Sequence, residues 1–169
     1  MPIARRTALL SGVNLLAGGG IAALAAGFGR AGAAAKPAAE HFEVTLTDEQ
    51  WKARLSPQAY AVLRHEATET PFTSPLNNEH RKGTFTCAGC ALPLFSSDTK
   101  FDSGTGWPSF FRPLPDAVAQ RVDSTLGMTR DEVHCRRCGG HLGHVFDDGP
   151  RPTGLRYCMN GVALAFTPA

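Results

Sequence analysis

The stretch CRRCGGHLGHVF, Cys135 to Phe146, carries two structural signals in twelve residues. Two thiols separated by two residues on a tight turn can chelate one ion, and a glycine such as Gly139 lets the backbone reach φ > 0 there. Directly behind that knuckle, Gly143 to Phe146 reads as a short strand. Working outward, Cys87-Ala-Gly-Cys90 repeats the knuckle, with Gly89 in the place of flexibility. Two such knuckles facing each other make a closed tetrahedral set of four thiolates, the donor set of structural zinc. The 44 residues between Cys90 and Cys135 exceed the usual 15–20 of a ribbon-like finger, so the knuckles must clasp two distant parts of one domain. Two other readings compete: a redox disulfide within each pair, or a mixed site on Cys135, Cys138, His141 and His144. Both pairs are knuckle-like and neither opens a thioredoxin-style helix, which favours zinc on Cys87, Cys90, Cys135 and Cys138.

Around the knuckles the texture is of short apolar runs cut by Gly, Pro, Asn and Asp. Thr84–Thr86, Leu126–Met128, Glu132–His134, Gly143–Phe146, Arg156–Cys158 and Val162–Phe166 read as strands. Upstream, Thr47-Asp-Glu-Gln50 has capping-box spacing, with Trp51 and Leu55 four apart on one helical face. Ser56-Pro57 then starts a second helix carrying Ala59, Tyr60, Val62 and Leu63. The expected fold is mainly β: a small antiparallel sheet domain over residues 47–169, with short N-terminal helices, clasped by a four-cysteine zinc site.

The first 35 residues read as an export signal. Arg5-Arg6 precede an uncharged Ala/Leu/Gly run from Thr7 to Gly29, and A-x-A sequences follow at 31–35. The arginine pair has a loose twin-arginine form, with an ordinary secretory leader as the other reading. Export to a bacterial periplasm or cell envelope is expected, with residues 36–46 as a linker. Glycines weaken the apolar run as a retained anchor, and no lipobox cysteine is present, so no stable membrane association is expected after cleavage. Removing the leader leaves 14 basic and 15 acidic side chains on 134 residues, enough for one domain with a core. Without a basic footprint, nucleic acid is a poor partner.

Cys158 has no partner in sequence. It lies in Thr153-Gly-Leu-Arg-Tyr-Cys-Met-Asn160. Two further segments are Gly104-Thr-Gly-Trp-Pro-Ser-Phe110 and His141-Leu-Gly-His-Val-Phe-Asp-Asp-Gly149. Together with the two cysteine pairs, these segments resemble the B-type methionine sulfoxide reductases, over about Thr47 to Phe166. The resemblance implies reduction of the R epimer of methionine sulfoxide, in oxidised proteins by preference, by a monomer that draws on a thioredoxin-like or small-thiol reductant. It also implies Cys158 as nucleophile, His144 and Asp148 handling the proton, and His141, Asn160 and Arg156 in support.

The residue chemistry agrees. Sulfoxide reduction needs a soft nucleophile at sulfur and a proton for the departing oxygen. Arg156, Cys158 and Asn160 alternate on a strand, so all three would share a face, with Arg156 favouring the thiolate. Trp107, held on a turn by Gly106 and Pro108, would give the S-methyl group an apolar wall. Many family members carry a resolving cysteine two residues before the tryptophan; here that residue is Thr105. The sulfenic acid formed on Cys158 would then be resolved by an external thiol. Two other functions compete: a zinc-ribbon interaction module, and a cysteine hydrolase on Cys158, His144 and Asn160. The first leaves Trp107, His144 and Cys158 without purpose. The second lacks a helix N-terminus beneath the cysteine.

Overall fold

Thr47 accepts a hydrogen bond from the Gln50 amide while the Gln50 side chain accepts one from Thr47, and this reciprocal cap starts α1 (Asp48–Arg54). Ser56 accepts from Ala59 at 3.2 Å and Pro57 fills the first turn of α2 (Pro57–His65). Each cap contributes about 1 kcal/mol, a useful share for helices of two turns that cannot stand alone in water. The second helix ends where Glu66 turns left-handed, at φ 56°. These elements belong to a computed structural model that describes residues 40–124 and 127–169. The expected export signal, residues 36–39 of the linker and Leu126 of one expected strand lie outside the described residues. Among the described residues no helix is long and apolar enough to cross a membrane.

Among the described residues nine strands follow: β1 (Gly83–Cys87), β2 (Pro93–Ser96), β3 (Lys100–Phe101), β4 (Ser109–Phe110), β5 (Val118–Asp123), β6 (Arg130–Cys135), β7 (His141–Phe146), β8 (Arg156–Met159) and β9 (Leu164–Pro168). They form a three-stranded sheet, β2-β1-β9, and a six-stranded sheet, β3-β4-β8-β7-β6-β5. All pairings are antiparallel. The core lies between them. Phe95 stacks on Phe110 with ring centroids 4.3 Å apart, and Phe85 meets Phe110 edge-on at 4.9 Å. All three rings are fully buried, and truncating any one to alanine would cost about 3–5 kcal/mol.

The mainly-β expectation holds, with local differences. Met128 lies outside any strand, and Val162 belongs to a 3-10 turn, Gly161–Ala163, ahead of β9. The strands missed from sequence are β2, β3, β4 and β5, and the longest of them is β5. It is an edge strand with most of its surface in solvent, so Val-Ala-Gln-Arg-Val-Asp shows no apolar run. Residues 40–46, read as a linker, pack on the second knuckle. Val44 donates to the Arg137 carbonyl at 3.0 Å, and the Phe42 ring lies edge-on to His134 and directly over Gly139.

Antiparallel register does the positioning. Residues directly opposite one another share a face and stand about 4.5–5.5 Å apart. Ser109 pairs with Cys158, Cys158 with His144, His144 with Glu132, and Glu132 with Arg121. One transverse row of polar side chains thus crosses five strands, on the face opposite Phe110, Tyr157 and Val133.

Candidate active site and metal site

The four knuckle sulfurs lie within 4.8 Å of one another. Cys87 Sγ is 3.8 Å from Cys138 Sγ, and Cys90 Sγ is 3.5 Å from Cys135 Sγ. A tetrahedral zinc with bonds of about 2.3 Å sets its sulfurs about 3.8 Å apart, so the set fits one zinc ion. Cys87 and Cys90 stand at the end of β1 and in the turn after it. Cys135 and Cys138 occupy the same places after β6, so the metal joins the two sheets. Each knuckle closes with the residue after its second cysteine in the left-handed region: Ala91 at φ 58° and Gly139 at φ 67°. In the first knuckle the strained position is therefore Ala91, and not Gly89 as expected. His141 and His144 stay out of this cluster, which removes the mixed thiolate–imidazole reading.

On the polar face, Thr68, Trp107, Arg130, His144, Cys158 and Asn160 line a pocket of about 120 Å³. That is well below the roughly 300–1,000 Å³ of a site for a drug-sized ligand and suits the tip of one side chain. Burial pushes the Cys158 thiol up, against the Thr105 hydroxyl, the Arg156 charge and the Ser109 hydroxyl, which pull it down. The expected thiolate-favouring effect of Arg156 is present but does not win. Arg156 donates to both oxygens of Asp148, at 2.8 Å each, and a paired cation projects little field. Thr105 Oγ1 lies 3.8 Å from Cys158 Sγ, and Ser103 links Thr105 to Ser109 at 2.8 and 2.7 Å.

His144 faces the nucleophile across the β7–β8 register, but its carboxylate partner is Asp123, at 2.9 Å from Nε2. The pairing with Asp148 expected from sequence is not made. Asp148 follows β7, with its side chain 60% exposed, and is held on Arg156, which keeps its carboxyl below the usual range. Arg130 donates to the same Asp123 oxygen at 2.6 Å. Burial lowers the His144 pKa below its ordinary 6.5, outweighing Asp123, so the imidazole is neutral at pH 7. A carboxylate can only accept, so Nε2 carries the hydrogen and Nδ1 keeps the lone pair.

His141 reaches this face through a β-bulge. The register slips between Val133 and His134, and the extra residue turns two histidines three apart onto the same side. Their rings sit 5.4 Å apart. His141 Nδ1 meets the buried Glu132 at 2.7 Å. Burial opposes the Glu132 charge, but His134, His141 and Arg121 overcome it and hold the carboxyl well below the usual range. Asn160 caps the 3-10 turn after β8, so the strand itself ends at Met159. Its oxygen accepts from the Glu69 amide at 2.9 Å and its nitrogen donates to Leu142 O at 3.1 Å. The Glu69 carboxylate takes the Gly161 and Val162 amides, and its carbonyl takes the Trp107 indole N–H at 3.2 Å. The indole has thus spent its donor and presents only apolar surface to the pocket. Asp123, Arg130, Glu132 and Glu69 were missed from sequence. The opposite charges of Asp123 and Arg130, which end β5 and begin β6, were the available signal.

A family model described as the SelR domain matches residues 55–168, which include the whole pocket and both knuckles. The chain belongs to the SelR-domain family. Curated relatives agree. A peptide methionine sulfoxide reductase MsrB from Leptospira interrogans is 54% identical over 127 residues, 75% of this chain and 97% of the relative. Proteins of that name from Agrobacterium fabrum and Thiobacillus denitrificans are 55% and 56% identical, over 75% and 72% of this chain and 94% and 93% of theirs. In this SelR-domain chain five cysteines divide two kinds of work: four form the zinc clasp between the sheets and Cys158 lines the pocket.

Proposed function

We propose that this protein reduces methionine R-sulfoxide to methionine, acting by preference on residues in oxidised polypeptides. The carrying observation is the lone thiol of Cys158, set by register opposite a neutral imidazole and beside an apolar indole wall. The relatives' shared name supports the reaction class. The sulfoxide methyl lies against Trp107, and the chirality at sulfur decides whether the oxygen then faces His144. His144 Nδ1 takes the Cys158 proton as the sulfur attacks and passes it to the sulfoxide oxygen. A bond forms between the two sulfurs; the protonated oxygen then moves to Cys158 as its bond to the substrate sulfur and the sulfur–sulfur bond break, which releases the thioether. Thiol plus sulfoxide give sulfenic acid plus thioether, with every atom accounted for. An external thiol condenses with the sulfenic acid, releasing water, and a second thiol restores Cys158. Asp123 stabilises the transient imidazolium. Zinc supplies rigidity on its four cysteines and takes no part in these steps.

The Arg5-Arg6 pair and the uncharged run behind it support export to the periplasm or cell envelope, with the chain acting as a monomer. The test of function is incubation with both sulfoxide epimers and dithiothreitol, beside Cys158→Ser. The expected result is loss of the R epimer alone, and none with the variant. Mass spectrometry after one turnover without reductant should find one added oxygen on Cys158. Consumption of both epimers, or of neither, would refute the reading.

A further inference from the structure

Phe72 is 72% exposed, the highest value for a large apolar side chain among the described residues. Its backbone is left-handed, at φ 66°, an outlier for so bulky a residue. The pose is nonetheless built in. The Phe72 amide donates to the Gly106 carbonyl at 2.7 Å, Asn77 donates to the same oxygen at 3.0 Å, and the neighbouring indole is tied to Glu69 of the same loop. Gly106 sits at φ 96°, and a Cβ there would lie 2.8 Å from Pro71 Cβ and 2.9 Å from the Phe72 amide nitrogen. The chain thus omits a side chain beside Trp107 in order to hold a phenyl ring in water.

The ring borders a second hollow of about 210 Å³, whose lining includes Phe72, Phe101, Lys100, Pro108 and Trp107. Trp107 also lines the pocket above Cys158, so one indole separates the two. The Lys100 ammonium is engaged by the Asn77 carbonyl at 2.8 Å; Asn78, His80 and Asp102 also border the hollow, and the Phe72, Phe101 and Trp107 rings with Pro108 form the apolar part of its wall. The catalytic pocket accommodates only the tip of a side chain, and the rest of a polypeptide substrate must run across its rim. In an extended chain, side chains two positions apart point the same way and are separated by about 7 Å, the order of the indole's width.

We propose that this hollow is a subsite for an apolar side chain two residues from the oxidised methionine, in an extended polypeptide. The proposal rests on the reductase reading and deepens it. Its occupant follows from the continuity of the hollow with the catalytic pocket through Trp107.

The test compares N-acetyl-methionine sulfoxide amide, a glycine-flanked sulfoxide pentapeptide, and pentapeptides with Phe two positions before or after the sulfoxide. Wild type should show a lower KM for one Phe-bearing peptide. Phe72→Ala should raise that KM about tenfold, as expected for losing roughly half the burial of one ring. It should leave kcat, and all parameters for the small amide, unchanged. Phe72→Leu should fall between. Equal losses on the amide and the peptides would overturn the subsite, as would a wild type that does not distinguish the peptides. A wild type inactive on every substrate would overturn the reductase reading and the subsite with it.

Discussion

Asp123→Asn is the sharpest perturbation of the proton path. His144 and Arg130 meet the same Asp123 oxygen, at 2.9 and 2.6 Å. An amide oxygen in that place can still accept from both, so tautomer and ring orientation survive while the negative charge is lost. Two unit charges about 4 Å apart interact by about 4 kcal/mol at an effective dielectric of 20. The His144 and Asp123 side chains are 13% and 12% exposed, so part of that is screened. A loss of about 2.7–4 kcal/mol of imidazolium stabilisation corresponds to a fall of about 10²–10³ in kcat/KM, within the range for general acid–base groups. The assay is initial-rate reduction of the R-sulfoxide amide under dithiothreitol, with melting temperature as the folding control. Asp148→Asn is the matched comparison: it removes a half-exposed partner of Arg156 and should cost under about tenfold. Activity of Asp123→Asn within threefold of wild type, or a larger loss in Asp148→Asn, would refute the proton path drawn through Asp123.

Metal removal should unfold the body, because zinc binding in structural sites is worth about 10–16 kcal/mol against a typical net stability of about 5–15 kcal/mol. Chelation or Cys87→Ser should abolish the cooperative melt seen by circular dichroism, and an unchanged melt would contradict the clasp. Thr105→Cys should place a second sulfur within reach of Cys158, from a position where the hydroxyl now lies 3.8 Å away. After one turnover without reductant, peptide mapping should find a 105–158 disulfide in the variant and none involving Cys158 in wild type. Burial holds His144 below its ordinary 6.5, so kcat/KM should stay flat on acidification until below that value, then fall as the base is protonated. Because the unfolded chain binds that proton more readily than the folded one, stability should decline as the pH falls from about 6.5 towards the lower folded value, and level off below it. An acid limb centred above 6.5 would count against His144 as the base.

What could be read from sequence was what local chemistry dictates. The Thr47 and Ser56 caps involve residues three apart and appear where their spacing puts them. The two knuckles announce themselves because chelation needs thiols at a fixed short separation. Asp123 is different: it lies 21 residues from His144, on an edge strand whose exposed side chains give no periodic signal, and only pairing across β6 brings it over. Glu132 reaches His141 only because of a bulge, and a one-residue slip has no signature in composition. Asp148 looked like the natural partner of His144 because it is near in sequence. The turn after β7 carries it to Arg156 instead.

The packing of Phe42 over Gly139, with Val44 bonded to Arg137, sets a practical boundary. Trimming the chain at Thr47, where the first motif begins, would remove these contacts and loosen the turn that carries two of the four sulfurs. Such a shortened form would still contain every catalytic group, yet would lose zinc faster than the longer one. An N-terminus upstream of Glu40 keeps these contacts.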